Sequence, residues 1–266
     1  MTSKKPPAAK GAGSNKTQSG EGININDNSY TKESMKEIGI TVRKSEDFSE
    51  WYQQVLLKSG LIDYSAVSGC IIFRPDCYSV WERIKEETDK RLKNLGIRNT
   101  YFPLFIPESL LKKEATHVEG FSPEVAWVDY GGDTKLGERL AVRPTSETIM
   151  YDSYSRWIRS WRDLPLKLNQ WNNVVRWEFK HPIPFIRTRE FLWNEGHTAF
   201  ATMEEAEKEI DDIVSLWEEI STDYLALSGI TGKKTEKEKF AGAEYTWAVE
   251  FATPNGRLVQ GPDAHH

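Results

Sequence analysis

Between Arg176 and His197 the chain reads R-W-E-F-K-H-P-I-P-F-I-R-T-R-E-F-L-W-N-E-G-H. Arg176, Lys180, Arg187 and Arg189 are interleaved there with Glu178, Glu190 and Glu195 and with Trp177, Phe179, Phe185, Phe191 and Trp193. A solvated loop needs no such aromatics, and an apolar core does not hold so many guanidinium groups. Arginines among flat rings, with carboxylates to hold them, suit a site that grips a polyphosphate and stacks a base. That combination points to a nucleotide.

The rest of the composition narrows the field. At 266 residues the chain can bury an ample core, as one large domain or two small ones. Ten tryptophans favour a rigid, well-packed domain that carries a site. A net charge of −5 gives no global pull towards nucleic acid, so any such contact must come from local patches. Cys70 and Cys77 are the only cysteines; they allow no disulfide framework or metal spacing and read as buried thiols in a reducing compartment. No run of about 18 apolar residues is present, so no membrane span is expected. The start has no hydrophobic signal core, and a cytoplasmic location is the default. Residues 1–29 are rich in Lys, Gly, Ser, Asn and Ala and read as a disordered leader, with 30–266 as the folded domain.

The elements that must position the arginines show in the hydrophobic pattern. A helix starts near Ser45 and stops near Gly60, and Cys70 to Phe73 is a short strand. An amphipathic helix from about Tyr78 to Leu95 buries Trp81, Ile84, Thr88, Leu92 and Leu95, and a strand interrupted by Pro103 runs from Ile97 to Leu104. Residues 125–128 and 139–142 form a hairpin across Gly131-Gly132-Asp133, and a helix from Ser146 to Trp161 turns Ile149, Met150, Tyr154, Trp157 and Ile158 inwards. Leu166–Glu178 and Phe191–Ala199 read as antiparallel strands flanking a long loop. The helix from Met203 to Leu227 is the clearest periodic segment, and strands near Tyr245–Phe251 and Leu258–Gln260 complete the series. Hairpin pairs among helices predict an α/β fold with a mainly antiparallel sheet flanked by helices. No glycine-rich phosphate loop occurs, which argues against a parallel nucleotide-binding sheet.

Two segments carry a family resemblance. Trp81 to Gly96 followed by Tyr101-Phe102-Pro103 resembles motif 1 of class II aminoacyl-tRNA synthetases, a dimer-interface element. Arg176-Trp177-Glu178, a loop, and Arg187-Thr188-Arg189-Glu190-Phe191 resemble motif 2 of the same class, which binds ATP. Arg143-Pro144-Thr145-Ser146-Glu147 and Trp193-Asn194-Glu195-Gly196-His197 narrow the resemblance to prolyl-tRNA synthetases of the eukaryotic and archaeal type, over about residues 52–260.

The resemblance implies a class II catalytic core acting on L-proline, ATP and tRNA(Pro), with a homodimer expected of the full-length protein. Arg176 would meet the α-phosphate and the substrate carboxylate, and Arg187 the outer phosphates. Phe191 would stack adenine, Glu178 would accept from its exocyclic amine or brace Arg176, and Gln260 would touch ATP. Mg²⁺, held largely by the phosphates, is the expected cofactor, with no protein cage of its own. Thr145 and Glu147 can both accept from the ammonium of proline, and Arg176 would meet its carboxylate. Phe121, Trp193, His197, Phe240 and His265 would wall the ring, with Glu195 ordering the polar groups nearby.

Each assignment has a plainer rival. Thr145 and Glu147 are also a helix cap and first-turn acid. Arg189 and Glu190 are also an ion pair on a strand. His197 is also a structural histidine. Near the end the pattern departs from the family: Asp263 stands where a threonine is expected. A carboxylate there would oppose phosphate charge by about 4 kcal/mol, for unit charges roughly 4 Å apart at an intermediate dielectric. Motif 3 and the domains after it are not found, so the expectation is a C-terminally incomplete core with little activity of its own. Two alternatives stand beside this: a class II enzyme for another small amino acid, and a truncated, non-catalytic relative.

Overall fold

The computed structural model describes residues 38–115, 125–177 and 181–266. The expected leader and the candidates Phe121 and Glu178 lie outside those residues.

Helix α1 (Phe48–Lys58) starts where the Asp47 side chain accepts from the Glu50 backbone N–H, filling one of the orphan donors of a helix start. It packs Leu56 and Leu57 on β1 (Ile62–Tyr64), which pairs antiparallel with β2 (Ile71–Phe73). Helix α2 (Pro75–Asn94) begins three residues before the expected Tyr78, because Pro75 can occupy the first turn, where its missing N–H costs nothing. The single strand expected over Ile97–Leu104 is instead two short ones, β3 (Arg98–Asn99) and β4 (Phe105–Pro107). The chain leaves one sheet at Pro103 and joins another: β3 pairs parallel with β7 (Leu166–Val175), and β4 pairs antiparallel with β6 (Thr134–Val142).

A short helix, α3 (Glu108–Ala115), follows β4. The hairpin of β5 (Trp127–Gly131) with β6 is as expected but longer. Helix α4 (Glu147–Trp157) ends four residues early, because Ser160 and Asp163 form a reciprocal cap that starts a separate 3₁₀ turn. Trp157, placed inside by periodicity, is 49% exposed. Strand β8 (Glu190–Ala199) pairs with β7 along its whole length. Helix α5 (Met203–Glu219) passes into a π turn at Ile220–Tyr224 instead of running on to Leu227. Strands β9 (Ile230–Lys233), β10 (Thr246–Ala252) and β11 (Leu258–His265) form an antiparallel sheet in the order β11-β10-β9. Strand β11 runs five residues past the expected Gln260, with Pro262 accommodated at a bulge. Cys70 and Cys77 are free and partly exposed, not buried.

The β3-β7-β8 sheet has two unlike faces. Directly opposed residues share a face, so Leu168, Gln170 and Asn172 lie with His197, Glu195 and Trp193. Lys167 and Trp171 point the other way. There Trp171 packs against Leu92 of α2, Ile97 just after it, Leu216 of α5 and Ile220 of the π turn, and Lys167 pairs with Glu209 at 2.5 Å. Helix α4 covers one end of the first face through Met150 and Tyr154, packed on Leu168 and Phe102. Helix α5 also lays Val214 and Trp217 on Trp247, Val249 and Ala264, so one helix joins two sheets. Leu216→Ala should therefore lower stability by about 2–5 kcal/mol in urea titrations, the range for emptying a large buried aliphatic site.

Candidate active site

The segment before α4 is held by a buried cation. Arg143 is 2% exposed and donates to the Phe102 carbonyl (2.9 Å), the Asn173 carbonyl (2.7 Å) and the Asn173 side chain (2.9 Å). Its backbone bonds Leu104 on one side and Val175 on the other, at 2.9 and 3.0 Å. All three guanidinium nitrogens meet protein oxygen, so Arg143 fastens the segment to β7. It presents residues 144–147 to the polar face of the β7–β8 pair.

Glu195, 7% exposed, is the hub of that face. Its Oε1 accepts from Ser146 Oγ (2.5 Å), Gln170 Nε2 (2.7 Å) and Asn172 Nδ2 (2.7 Å), and its Oε2 accepts from the Ser146 backbone N–H (3.2 Å). His197 Nε2 lies 3.3 Å from Oε2, and the other ring nitrogen meets the Tyr151 hydroxyl at 3.2 Å. Burial pushes the Glu195 carboxyl up. Hydrogen bonds from His197 and Ser146, the His197 charge and the Asn172 amide outweigh it and hold the pKa below the ordinary 4.5. His197, tied at both nitrogens and with its carbonyl accepting from Tyr154, orients Glu195.

Thr145 and Glu147 flank Ser146. Thr145 is 3% exposed, and its hydroxyl donates to the Glu147 carboxylate, which leaves the lone pairs of the hydroxyl to face an N–H donor. Of the plainer reading, the first-turn acid holds, since Glu147 opens α4; the cap does not, because the cap position is Ser146 and not Thr145, and Ser146 makes no side-chain cap bond.

Arg176 closes the group. Its Nε donates to the Pro144 carbonyl (2.9 Å), and its guanidinium lies 5.5 Å from the Phe191 ring centre and 5.2 Å from that of Trp193. The two rings meet edge to face at 5.9 Å, and the Trp193 indole donates to Asn172. Thr145, Glu147, Arg176, Phe191, Trp193, Glu195 and His197 thus belong to one connected constellation. Arg187 is exposed on the turn at residues 183–187, its backbone bonded to Ile183 at 2.8 and 2.9 Å. Arg189 and Glu190 do not act as a pair: Arg189 is buried with its Nη1 on the Ser68 carbonyl, and Glu190 accepts from Asn173.

Phe240, in the loop before β10, and Gln260 and His265, on β11, form a second cluster. Phe240 stacks on His265 at 4.5 Å, His265 Nδ1 lies 3.0 Å from Thr246 Oγ1, and the Gln260 amide donates to Asp263 at 2.6 Å. These contacts tie Phe240 to His265, and Gln260 to Asp263, on the β10–β11 sheet. Ser146, Gln170, Asn172 and Tyr151 were not singled out by sequence reasoning. A signal for two of them was present: N-Q-W-N-N is too polar for the middle of a central strand unless its side chains serve a site.

At about pH 7, Glu195→Gln should cost about 1–3 kcal/mol of stability, because a carboxylate ringed by donors from Ser146, Gln170, Asn172 and His197 becomes an amide with a donor of its own. The folded pKa is depressed, so the contribution of the ionised form is complete above the unfolded value of 4.5 and is lost as pH falls through the folded one. The gap between wild type and variant should shrink across that acid window in urea titrations from about pH 7 to about pH 3.

Residues 127–260 match the family described as tRNA synthetase class II core domain (G, H, P, S and T). The chain is 54% identical over 228 residues to the proline–tRNA ligase of Cenarchaeum symbiosum, covering 86% of this chain and 48% of that protein. It is 53% identical over 229 residues to the cytoplasmic proline–tRNA ligase of Arabidopsis thaliana, covering 86% and 43%. The crystal structure of prolyl-tRNA synthetase from Cryptosporidium parvum complexed with halofuginone and AMPPNP matches with a TM-score of 0.82 at 51% identity, covering 86% of this chain and 47% of that one. The chain spans less than half the length of these relatives. It belongs to the class II tRNA synthetase core family, in the prolyl-tRNA synthetase group.

Proposed function

We propose that this chain supplies the ATP- and proline-binding part of an enzyme that converts L-proline and ATP to prolyl-adenylate and diphosphate, for transfer to tRNA(Pro). The observation that carries this reading is the convergence of Thr145, Glu147, Arg176, Trp193 and Glu195 on one polar sheet face. In the reaction the proline carboxylate attacks the α-phosphate, and diphosphate leaves. Negative charge gathers on the phosphorus oxygens, and a fixed guanidinium can meet it through two parallel bonds. Arg176, already held by Pro144, fits that place, and Arg187 fits the outer phosphates. Phe191 would give adenine a face, and Glu178 and Gln260 would read the nucleotide.

Thr145 and Glu147 would accept the two N–H groups of the proline ammonium. Trp193 and His197 would wall the ring, with Phe121, Phe240 and His265 completing the slot. The chemistry is placement and charge stabilisation, without a protein nucleophile. Magnesium, when bound, would neutralise phosphate charge. Its ligands in this reading are phosphate oxygens and water. No helix among the described residues is long and apolar enough to cross a membrane. A cytoplasmic homodimer assembled through α2 and the strand after it completes the reading.

A second reading, a non-catalytic relative, is favoured by one observation: Asp263 engages the Gln260 amide that ATP would need. Proline-dependent exchange of pyrophosphate into ATP, in an active protein containing this chain, separates the possibilities; a response to another amino acid and not to proline would discard the proline assignment. Calorimetry with ATP and with proline on the chain itself, giving no heat with either, would leave the non-catalytic reading. In the active protein Arg176→Ala should raise the adenylation barrier by about 3 kcal/mol, as loss of one oxyanion donor does. Thr145→Val should raise the KM for proline and leave that for ATP unchanged.

A further inference from the structure

The turn that carries Arg187 is held from outside its own sheet. Within it, the Ile183 N–H donates to the Arg187 carbonyl and the Arg187 N–H to the Ile183 carbonyl, at 2.9 and 2.8 Å. Phe185 at its tip has φ 63°, a left-handed conformation that a bulky side chain adopts only when its surroundings enforce it. Those surroundings come from more than a hundred residues earlier in the chain. The Tyr52 hydroxyl on α1 donates to the Pro184 carbonyl at 3.1 Å, and the Phe73 ring on β2 meets Phe185 edge to face at 5.3 Å. At the base of the turn the Arg189 N–H donates to the Gly69 carbonyl (2.8 Å), and its Nη1 donates to the Ser68 carbonyl (3.0 Å).

The hairpin end that receives Arg189 is itself rigid. Ser65 Oγ donates to the Val67 carbonyl and accepts from the Val67 N–H, and the Cys70 N–H donates to the Val67 carbonyl. Gly69 has φ +79°, and a Cβ there would stand 2.8 Å from Arg189 Cγ and 3.1 Å from Pro182 Cγ. Only glycine lets the hairpin approach so closely. Burial, with the Cys77 thiol adding to it, pushes the Tyr52 phenol up to about 12, so its hydroxyl remains a donor at neutral pH. Leu56, Leu57 and Ile62 lock α1 to the hairpin, which makes the whole a single body.

We propose that α1, β1 and β2 form a clamp for the turn at residues 182–189, with Tyr52, Gly69 and Arg189 as positioning residues that set where Arg187 presents its guanidinium. The functional part of this rests on the reading of the site as one for ATP and proline. A clamp lowers the entropy lost when Arg187 grips a phosphate, so loosening it should weaken the nucleotide and spare the amino acid.

Hydrogen exchange followed residue by residue on the full chain, with calorimetry for ATP and for proline, tests it. Tyr52→Phe removes one hydrogen bond and keeps the ring. The Ile183 and Arg187 amides should then exchange about fivefold faster, the equivalent of one lost hydrogen bond, while Val174 and Leu192 in the β7–β8 ladder stay as they were. The Kd for ATP should rise about fivefold and that for proline should not move. Phe73→Leu should act in the same direction and Phe73→Tyr should restore the wild-type values; Gly69→Ala should act more strongly. Unchanged exchange at Ile183 and Arg187 in both Tyr52→Phe and Phe73→Leu would overturn the clamp, as would faster exchange with unaltered ATP affinity. A wild-type chain that binds neither ligand would instead remove the functional reading; exchange at Ile183 and Arg187 would then decide the clamp alone, faster supporting it and unchanged overturning it.

Discussion

A carboxylate shut away from water must be surrounded by donors, and Glu195 satisfies that requirement by drawing together stretches of chain far apart in sequence. Ser146 comes from the head of α4, Gln170 and Asn172 from the neighbouring strand, and His197 from two residues on. Gln170 also donates to the Ser146 hydroxyl at 2.7 Å, so the donors are linked to one another, and opening the group leaves several buried polar atoms unpaired. Such networks contribute placement more than net stability, and the residues placed are the informative ones. Thr145 and Glu147 sit on either side of Ser146 and take their positions from it. Pro144, one residue earlier, offers the carbonyl that holds Arg176.

The pleat of one strand pair turns this constraint into a division of labour. Along β7, Gln170 and Asn172 belong to the polar face, while Trp171 between them anchors the packing of α2 and α5. A slip of one residue in the β7–β8 register would place Glu195 in the apolar layer, so the core and the site enforce the same pairing. Arg143 adds a second fastening: its guanidinium, bonded to two backbone carbonyls and the Asn173 side chain, bolts the segment before α4 to the sheet. The buried cation and the buried anion are both structural. Arg176 lies at the edge of the network, on the Pro144 carbonyl, and Arg187 lies on its turn.

Much of this was legible in advance where one rule dominates. The stripe of α2 and the 3.6-residue period of α5 place both helices to within a few residues, and Thr88 and Leu92 are buried as expected. Legibility fails where two rules compete. Periodicity carries α4 on to Trp161, but the Ser160–Asp163 cap stops it, and Trp157 faces outwards. Pro103 suggested an interrupted strand; it marks a change of sheet, because a residue with no N–H cannot pair on both sides. The short β9 and α3 carry too few residues for a period to show.

The sequence by itself determined the chemical inventory and its family: arginines among aromatics, the Thr145–Ser146–Glu147 triplet, and a mainly antiparallel α/β scaffold. Those follow from residue type and local spacing, which the chain states outright. Only the tertiary structure decided that Arg143 and Arg189 are buried against carbonyl oxygens, that Ser146, Gln170 and Asn172 converge on Glu195, and that Phe240 stacks on His265 while Gln260 meets Asp263. Residue spacing gives the direction of a side chain on its own strand or helix. Its partner depends on long-range register and on the need to satisfy every buried charge, and both are settled only when the sheets assemble.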